Sequence, residues 1–151
     1  MAGTIEQRLI DLGIELPTPV SPAANYVRWQ ITGNLLFIAG TGPANDIKKG
    51  KVDSEVSVEE AYQAARSVGL QILATAQAAL GSLDRITNTV KVLGMVNADP
   101  DFEQHPQVIN GCSDVLVEVL GEAGRHTRSA VGFGSLPNRI AVEIEATFEV
   151  G

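Results

Sequence analysis

The chain has 151 residues, of which 44% are hydrophobic and 19% are charged, a composition typical of a folded protein and not of a disordered segment. The formal net charge of -7 disfavours binding to nucleic-acid phosphates or to anionic membrane surfaces. A single cysteine, Cys112, excludes an internal disulfide, and together with two histidines it leaves little for a metal site, so we expect none. No apolar run is long enough to span a membrane and no secretory signal is visible. We therefore expect one cytoplasmic domain over residues 1–151.

The first third of the chain predicts a helix followed by a hairpin. Apolar residues share one face of Thr4–Leu12, and Thr4 can cap its start, which predicts a short helix within residues 1–16. A proline-rich arm follows, and two apolar runs, Tyr26–Thr32 and Leu35–Ala39, are separated by two turn residues beginning at Gly33. Such a short link between apolar runs indicates a β-hairpin.

The remaining two thirds predict two long helices separated by strands. Ser57 followed three residues later by Glu60 has the form of a capping box, and an alanine-rich apolar stripe predicts a helix that runs on to Leu80. We predict the later elements as a strand over Ile86–Met95, a helix over Pro106–Leu120, and strands over Arg128–Phe133 and Ile140–Val150.

This order of elements predicts an α+β fold, in which two long helices cover one face of a mixed β-sheet. In the last strand, apolar Val142, Ile144, Ala146 and Phe148 alternate with polar residues that include Glu143. The second face of the sheet then has no helix to cover it. We therefore expect the chain to associate with copies of itself.

Arg128 and Glu143 are the strongest candidates for chemistry. Arg128 begins one strand and Glu143 lies on the next, so a hairpin between the two strands can bring the side chains together. The arginine offers a planar fork for a carboxylate or a phosphate, and the glutamate can hold or polarise a water. The same pair is also compatible with a purely structural ion pair across a hairpin.

Several segments of the chain together resemble the Rid family (YjgF/YER057c/UK114). The resemblance covers nearly all of the chain after about Pro19. The segments that carry it are Ser21–Val27, Leu35–Pro43, the first long helix, Asn110, Arg128–Val131, Leu136-Pro137 and Val142–Ala146. This resemblance implies a chorismate-mutase-like α+β sandwich that forms a homotrimer with pockets between subunits.

The resemblance also implies an activity and a set of site residues. The best-studied branch of the family hydrolyses 2-imino acids or enamines to 2-keto acids and ammonia without a metal or organic cofactor. Arg128 matches the arginine that holds the substrate carboxylate, and Glu143 matches the glutamate that positions the water. Tyr26, Gly40 and Asn110 match further substrate-binding positions. The chain departs from that branch in having alanine at two positions, Ala39 where it usually has serine and Ala130 where many members have cysteine. Further departures are a longer segment, Asp99–Gln107, and an N-terminal helical extension, residues 1–16.

Two other functions remain open at this point. Ala39 and Ala130 remove polar groups from the site while Arg128 remains, which is compatible with a non-catalytic protein that binds or senses small carboxylates. An endoribonuclease or translation inhibitor, a label attached to some members of the family, is disfavoured by the net charge of -7.

Several single residues also have two readings. We expect Cys112 to be a buried apolar residue and His126 to be a partly exposed histidine at a strand edge, although it could face the pocket. We expect His105 to lie in a polar turn and Trp29 to belong to the core or an interface.

Overall fold

The computed structural model describes residues 3–151; Met1 and Ala2, at the start of the predicted N-terminal extension, lie outside the described residues. In chain order the main elements are α1 (Thr4–Leu12), β1 (Trp29–Thr32), β2 (Leu35–Thr41), α2 (Val58–Leu80), β3 (Ile86–Asn97), α3 (His105–Leu120), β4 (Thr127–Phe133) and β5 (Val142–Val150). The predicted succession of hairpin, helix, strand, helix, strand and strand is confirmed.

The five strands form one mixed sheet in the order β1-β2-β5-β3-β4. The pairs β1–β2, β2–β5 and β3–β5 are antiparallel, whereas β4 runs parallel to β3 at the edge. Helices α2 and α3 contact the sheet strands. The expected α+β fold, with a mixed sheet and two long helices on one face, is confirmed.

The predicted hairpin between β4 and β5 is wrong, because β3 lies between these two strands. The burial of the strands gives the physical reason. Every second residue of β5, from Val142 to Val150, is buried under the helices, while no residue of β4 is fully buried. A strand with such an apolar face buries most apolar surface in the middle of the sheet, whereas the more polar β4 can lie at the edge.

Helix α2 has the boundaries that its sequence signals predict. The Ser57 hydroxyl accepts a hydrogen bond from the Glu60 amide at 3.1 Å, and the Glu60 carboxylate accepts one from the Ser57 amide at 3.0 Å. At the other end Gly81 has a φ of 82°, which favours glycine, and its amide donates to the Gln77 carbonyl at 2.8 Å.

Glycines allow the backbones of α2 and α3 to approach each other closely. A Cβ at Gly111 of α3 would overlap the backbone carbonyl oxygen of Tyr62 in α2, and a Cβ at Gly69 of α2 would collide with Val115. Both helices are buried where they face each other, and Cys112 is fully buried at this seam as predicted. Helix α3 also carries the residues that contact Arg128.

Some local predictions are corrected. Strand β1 begins at Trp29 instead of Tyr26, because the Tyr26 amide donates to the Ala24 carbonyl at 2.9 Å and closes a local turn. Helix α1 is capped by the carboxylate of Asp84, which accepts hydrogen bonds from the backbone amides of Thr4 and Ile5, and not by the Thr4 side chain.

The other shifts are small. Strand β3 extends two residues past the predicted end at Met95, because the Asn97 amide donates to the Ala141 carbonyl at 2.8 Å. Val52 forms only isolated bridges, with Val56 and with Ala98. Helix α3 begins one residue before Pro106, so His105 is helical instead of lying in a turn. Within residues 3–151, no helix combines the length and the apolar character needed to cross a membrane.

Candidate functional site

Arg128 lies on the helix-covered side of β4, where its guanidinium contacts one face of α3. Nη1 donates to Asn110 Oδ1 at 2.8 Å and to Ser113 Oγ at 3.0 Å, and Nη2 donates to the Pro106 carbonyl at 3.2 Å. The three acceptors follow one another four and then three residues apart, which places them on one face of a helix. The structure therefore brings Asn110 and Arg128 together.

The Arg128 guanidinium has no counterion among the described residues. All three of its acceptors are neutral, and no carboxylate among the described residues lies within ion-pair distance. An arginine carries five N–H donors, and the three hydrogen bonds to α3 leave roughly two of them for a ligand. The side chain is thus fixed in position and still able to bind an anion.

The hydrogen-bond network continues from Arg128 to His126. Ser113 Oγ lies 2.8 Å from His126 Nε2, and His126 Nδ1 lies 2.6 Å from the Gly124 carbonyl oxygen. Because a carbonyl can only accept, Nδ1 carries the proton, and Nε2 of the neutral ring accepts the Ser113 hydroxyl hydrogen. Burial, aided by the charge of Arg128, lowers the pKa of His126 and favours this neutral form.

A shallow cavity of about 270 Å³ opens beside this network. It is lined by Ser113, Val117, Arg125, His126 and Arg128. His126 is partly exposed beside the edge strand β4, as expected, and it also lines this candidate pocket.

Tyr26, Gly40 and Glu143 form a second group, organised around Arg28. Only 9% of Arg28 is exposed, and its guanidinium donates to the Tyr26 hydroxyl at 3.2 Å, to the Gly40 carbonyl at 3.1 Å and to Thr41 Oγ1 at 2.7 Å. Gly40 lies directly against the Glu143 side chain, where a Cβ would collide with the carboxylate. The absence of a side chain at position 40 therefore leaves the space that the Glu143 carboxylate occupies.

The surroundings of this second group shift the pKa values of Glu143 and Tyr26. Burial and the neighbouring Glu145 raise the pKa of Glu143, against the opposing effect of Arg28. The pKa of Tyr26 is lowered because its oxygen accepts hydrogen bonds from the Ala23 amide and from Arg28. With these bonds accepted, the phenolic hydrogen of Tyr26 remains free to donate.

The two groups lie on opposite faces of the sheet. Arg128 is paired with Val92 under the helices, whereas Glu143 is paired with Met95 and points to the uncovered face between buried Val142 and Ile144. Arg128 and Glu143 therefore do not meet within one protomer. The predicted proximity fails because it depended on a β4–β5 hairpin that the fold does not contain.

The remaining candidates have mainly structural surroundings. Burial raises the pKa of the Cys112 thiol to about 12, so it stays protonated and unreactive. Ala130 packs against the core and Ala39 lines a cavity on the uncovered face. Trp29 is 38% exposed in the protomer and lines the same cavity, and His105 contacts the ring of Phe102 edge to face.

Sequence reasoning missed Ser113 and Arg28. Ser113 could have been found from its spacing, because it follows Asn110 by one helical turn and must share its face. Arg28 gives no such local signal, because its acceptors Gly40 and Thr41 come within reach only through the pairing of β1 with β2.

Comparison with known proteins identifies the family. The model of the family described as "YjgF/chorismate mutase-like, putative endoribonuclease" matches residues 6–141. Protein TCP17 of Trypanosoma cruzi is 40% identical, and the match covers 99% of this chain and 96% of that protein.

Two solved structures are similar over nearly the whole chain. The protein Atu1372 "with unknown function" from Agrobacterium tumefaciens is 43% identical with a TM-score of 0.89, covering 97% of this chain and 92% of that one. A "putative endoribonuclease" from Shewanella oneidensis is 31% identical with a TM-score of 0.92, covering 98% and 100%. The chain therefore belongs to the YjgF/chorismate-mutase-like family.

Proposed function

We propose that the protein hydrolyses 2-imino acids or enamines to 2-keto acids and ammonia, in pockets formed between the subunits of a homotrimer. The observation that carries this proposal is the Arg128 guanidinium, which is held by three neutral acceptors and has no carboxylate partner in the protomer. A positive charge that is fixed but not neutralised favours binding of a small carboxylate.

The placement of the site residues supports assembly. Each protomer carries an Arg128 group on one side of its sheet and a Glu143 group on the other, so a complete site needs two protomers. The uncovered face presents Phe37 and Val131, each roughly two-fifths exposed at 42% and 39%, together with partly buried Leu93. Burial of such apolar side chains between copies of the chain would stabilise an oligomer.

In the proposed reaction the substrate carboxylate binds the free N–H donors of Arg128. Glu143 of a neighbouring protomer orients a water toward the imine carbon and accepts one of its protons. The raised pKa of Glu143 makes it a better base for this step. The C–O bond forms as the electron pair of the C=N bond moves to nitrogen.

Tyr26 is suited to supply the proton that nitrogen then needs. Its pKa is lowered and its hydrogen is not used by the contacts with Ala23 and Arg28. Glu143 then gives its proton to the amino nitrogen, and the C–N bond breaks to release ammonia. The hydroxyl hydrogen passes to the Tyr26 oxygen as the hydroxyl oxygen becomes the keto group, so both side chains regain their starting protonation. Water and imino acid are thereby converted to 2-keto acid and ammonia without a cofactor, because an imine is already electrophilic.

A non-catalytic carboxylate-binding protein is the second candidate. Ala39 and Ala130 provide neither a hydroxyl nor a thiol near the two groups, while Arg128 keeps its charge. Ribonuclease activity, which the names of relatives suggest, would require RNA to approach a chain of net charge -7.

The test is keto-acid release from 2-iminobutyrate generated in situ, with wild type, Arg128→Ala and the control Lys48→Ala. Lys48 lies in an exposed ion pair with Glu60 at 3.5 Å, so its loss should matter little. We expect Arg128→Ala to lower kcat/KM by at least about 100-fold, since it removes charge-assisted hydrogen bonds to the substrate.

Each alternative predicts a different result. Equal keto-acid release by wild type and Arg128→Ala refutes the proposed hydrolysis. Thermal stabilisation by 2-keto acids without turnover supports the carboxylate-binding protein. Cleavage of RNA by the same preparations, lost in Arg128→Ala, supports the nuclease.

A further inference from the structure

The cavity beside Arg128 contains a second arginine that the proposed hydrolysis does not use. Arg125 lines the same 270 Å³ cavity, is exposed, and has no side-chain hydrogen bond or ion pair among the described residues. The other lining residues are uncharged: Ser113, Val117 and the neutral form of His126. Two positive charges therefore share one small cavity.

The acids that are close in sequence to the lining residues either have other partners or do not line the cavity. On α3, Asp114 accepts a hydrogen bond from the Tyr62 hydroxyl at 2.6 Å, and Glu118 pairs with Arg66 of α2 at 3.1 Å. Glu122, three residues before Arg125, does not line the cavity. In a chain with 18 acidic and 11 basic residues, this cavity is a local positive site, whose charges would repel each other without an anion between them.

We infer that the cavity binds a small molecule with two carboxylates, one on Arg128 and the second on Arg125, so that the substrate class is a 2-imino dicarboxylic acid. This inference rests on the proposed function for the reaction, although not for the binding. The volume of about 270 Å³ is below the roughly 300–1,000 Å³ of pockets for drug-sized ligands and suits a small metabolite. A chain of net charge -7 repels a dianion in general, so a preference for one must arise locally.

The test compares the equilibrium binding of two keto acids of equal chain length, 2-oxoglutarate and 2-oxopentanoate, at one fixed ionic strength. They differ in the second carboxylate. We expect wild type to bind 2-oxoglutarate about tenfold more tightly, and Arg125→Gln to remove most of that ratio, because one charge-assisted contact is lost. The control Lys49→Gln removes an equal charge from an exposed turn and should keep the wild-type ratio.

The outcomes separate this inference from the proposed function. Equal affinity of wild type for the two keto acids, or an unchanged ratio in Arg125→Gln, overturns the inference even if imine hydrolysis is observed. A ratio that depends on Arg125 supports it even if no turnover of any imine is found, in which case the proposed hydrolysis fails alone.

Discussion

Arg128 and Glu143 should act on one substrate from two different protomers, and mixing variants can test this. The strand register places their Cα atoms two strands and three residues apart, which corresponds to about 14 Å, with side chains on opposite faces. One substrate and one water cannot bridge that separation through the sheet. Neither Arg128→Ala nor Glu143→Ala alone should hydrolyse imines.

Oligomers reassembled from equal amounts of the two inactive variants should recover activity. If each site takes its arginine from one protomer and its glutamate from the next, about one quarter of the randomly mixed sites contain both residues. The assay is keto-acid release after the two variants are unfolded together and refolded, with each variant refolded alone as the control.

A second mixture separates the two arrangements. Wild type is mixed with an equal amount of the double variant Arg128→Ala/Glu143→Ala. About one quarter of all sites should be active if the two residues come from different protomers, but about one half if they come from the same protomer. No recovery from the two single variants, together with half of the activity in the second mixture, would refute the reasoning from the sheet.

Three further substitutions probe the fold and the Glu143 group. Gly111→Ala should lower the free energy of unfolding by about 1–3 kcal/mol, because the new methyl group overlaps the Tyr62 carbonyl; an unchanged denaturation midpoint would contradict this. Gly40→Ala should reduce imine hydrolysis about tenfold or more with little loss of stability, because it displaces only the flexible Glu143 carboxylate. The control Gly134→Ala, where a Cβ meets nothing, should retain activity in the same assay. Glu143→Gln should raise the melting temperature at pH 7 but not near pH 3.5, below the ordinary glutamate pKa. Burial raises the pKa of Glu143, so above the ordinary glutamate pKa the native state binds more protons than the unfolded state. The protein therefore loses stability as pH rises from the ordinary pKa through the raised pKa of Glu143. A melting temperature that shifts equally at both pH values would show that the carboxylate's charge is not the cause.

The helices could be predicted from the sequence because their signals are local. The capping box at Ser57 and the glycine at position 81 act within a few residues, and α2 has the bounds that they predict. Arg128 and Glu143 were candidates from the residues themselves, whereas Tyr26, Gly40 and Asn110 were added by the resemblance to a family. Their division into two groups did not, because it depends on which strands are neighbours.

The partner of β4 is decided by burial over the whole sheet and not by the short connection after Phe133. That connection suggested a hairpin, but the alternating apolar face of β5 places it between β2 and β3. The role of Arg28 was hidden for the same reason, since its acceptors become neighbours only after β1 and β2 have paired. Contacts that depend on the pairing of strands far apart in sequence cannot be predicted from residue spacing.

The sequence contains a single thiol, and the structure places it at the glycine-lined seam between α2 and α3. A maleimide or disulfide reagent can therefore attack the folded chain only while those two helices are apart. The rate of modification of Cys112 then reads out how often this layer opens, without any engineered probe. Because α3 also supplies the acceptors that hold Arg128, the same rate would report whether ligand binding at Arg128 changes how often α2 and α3 separate.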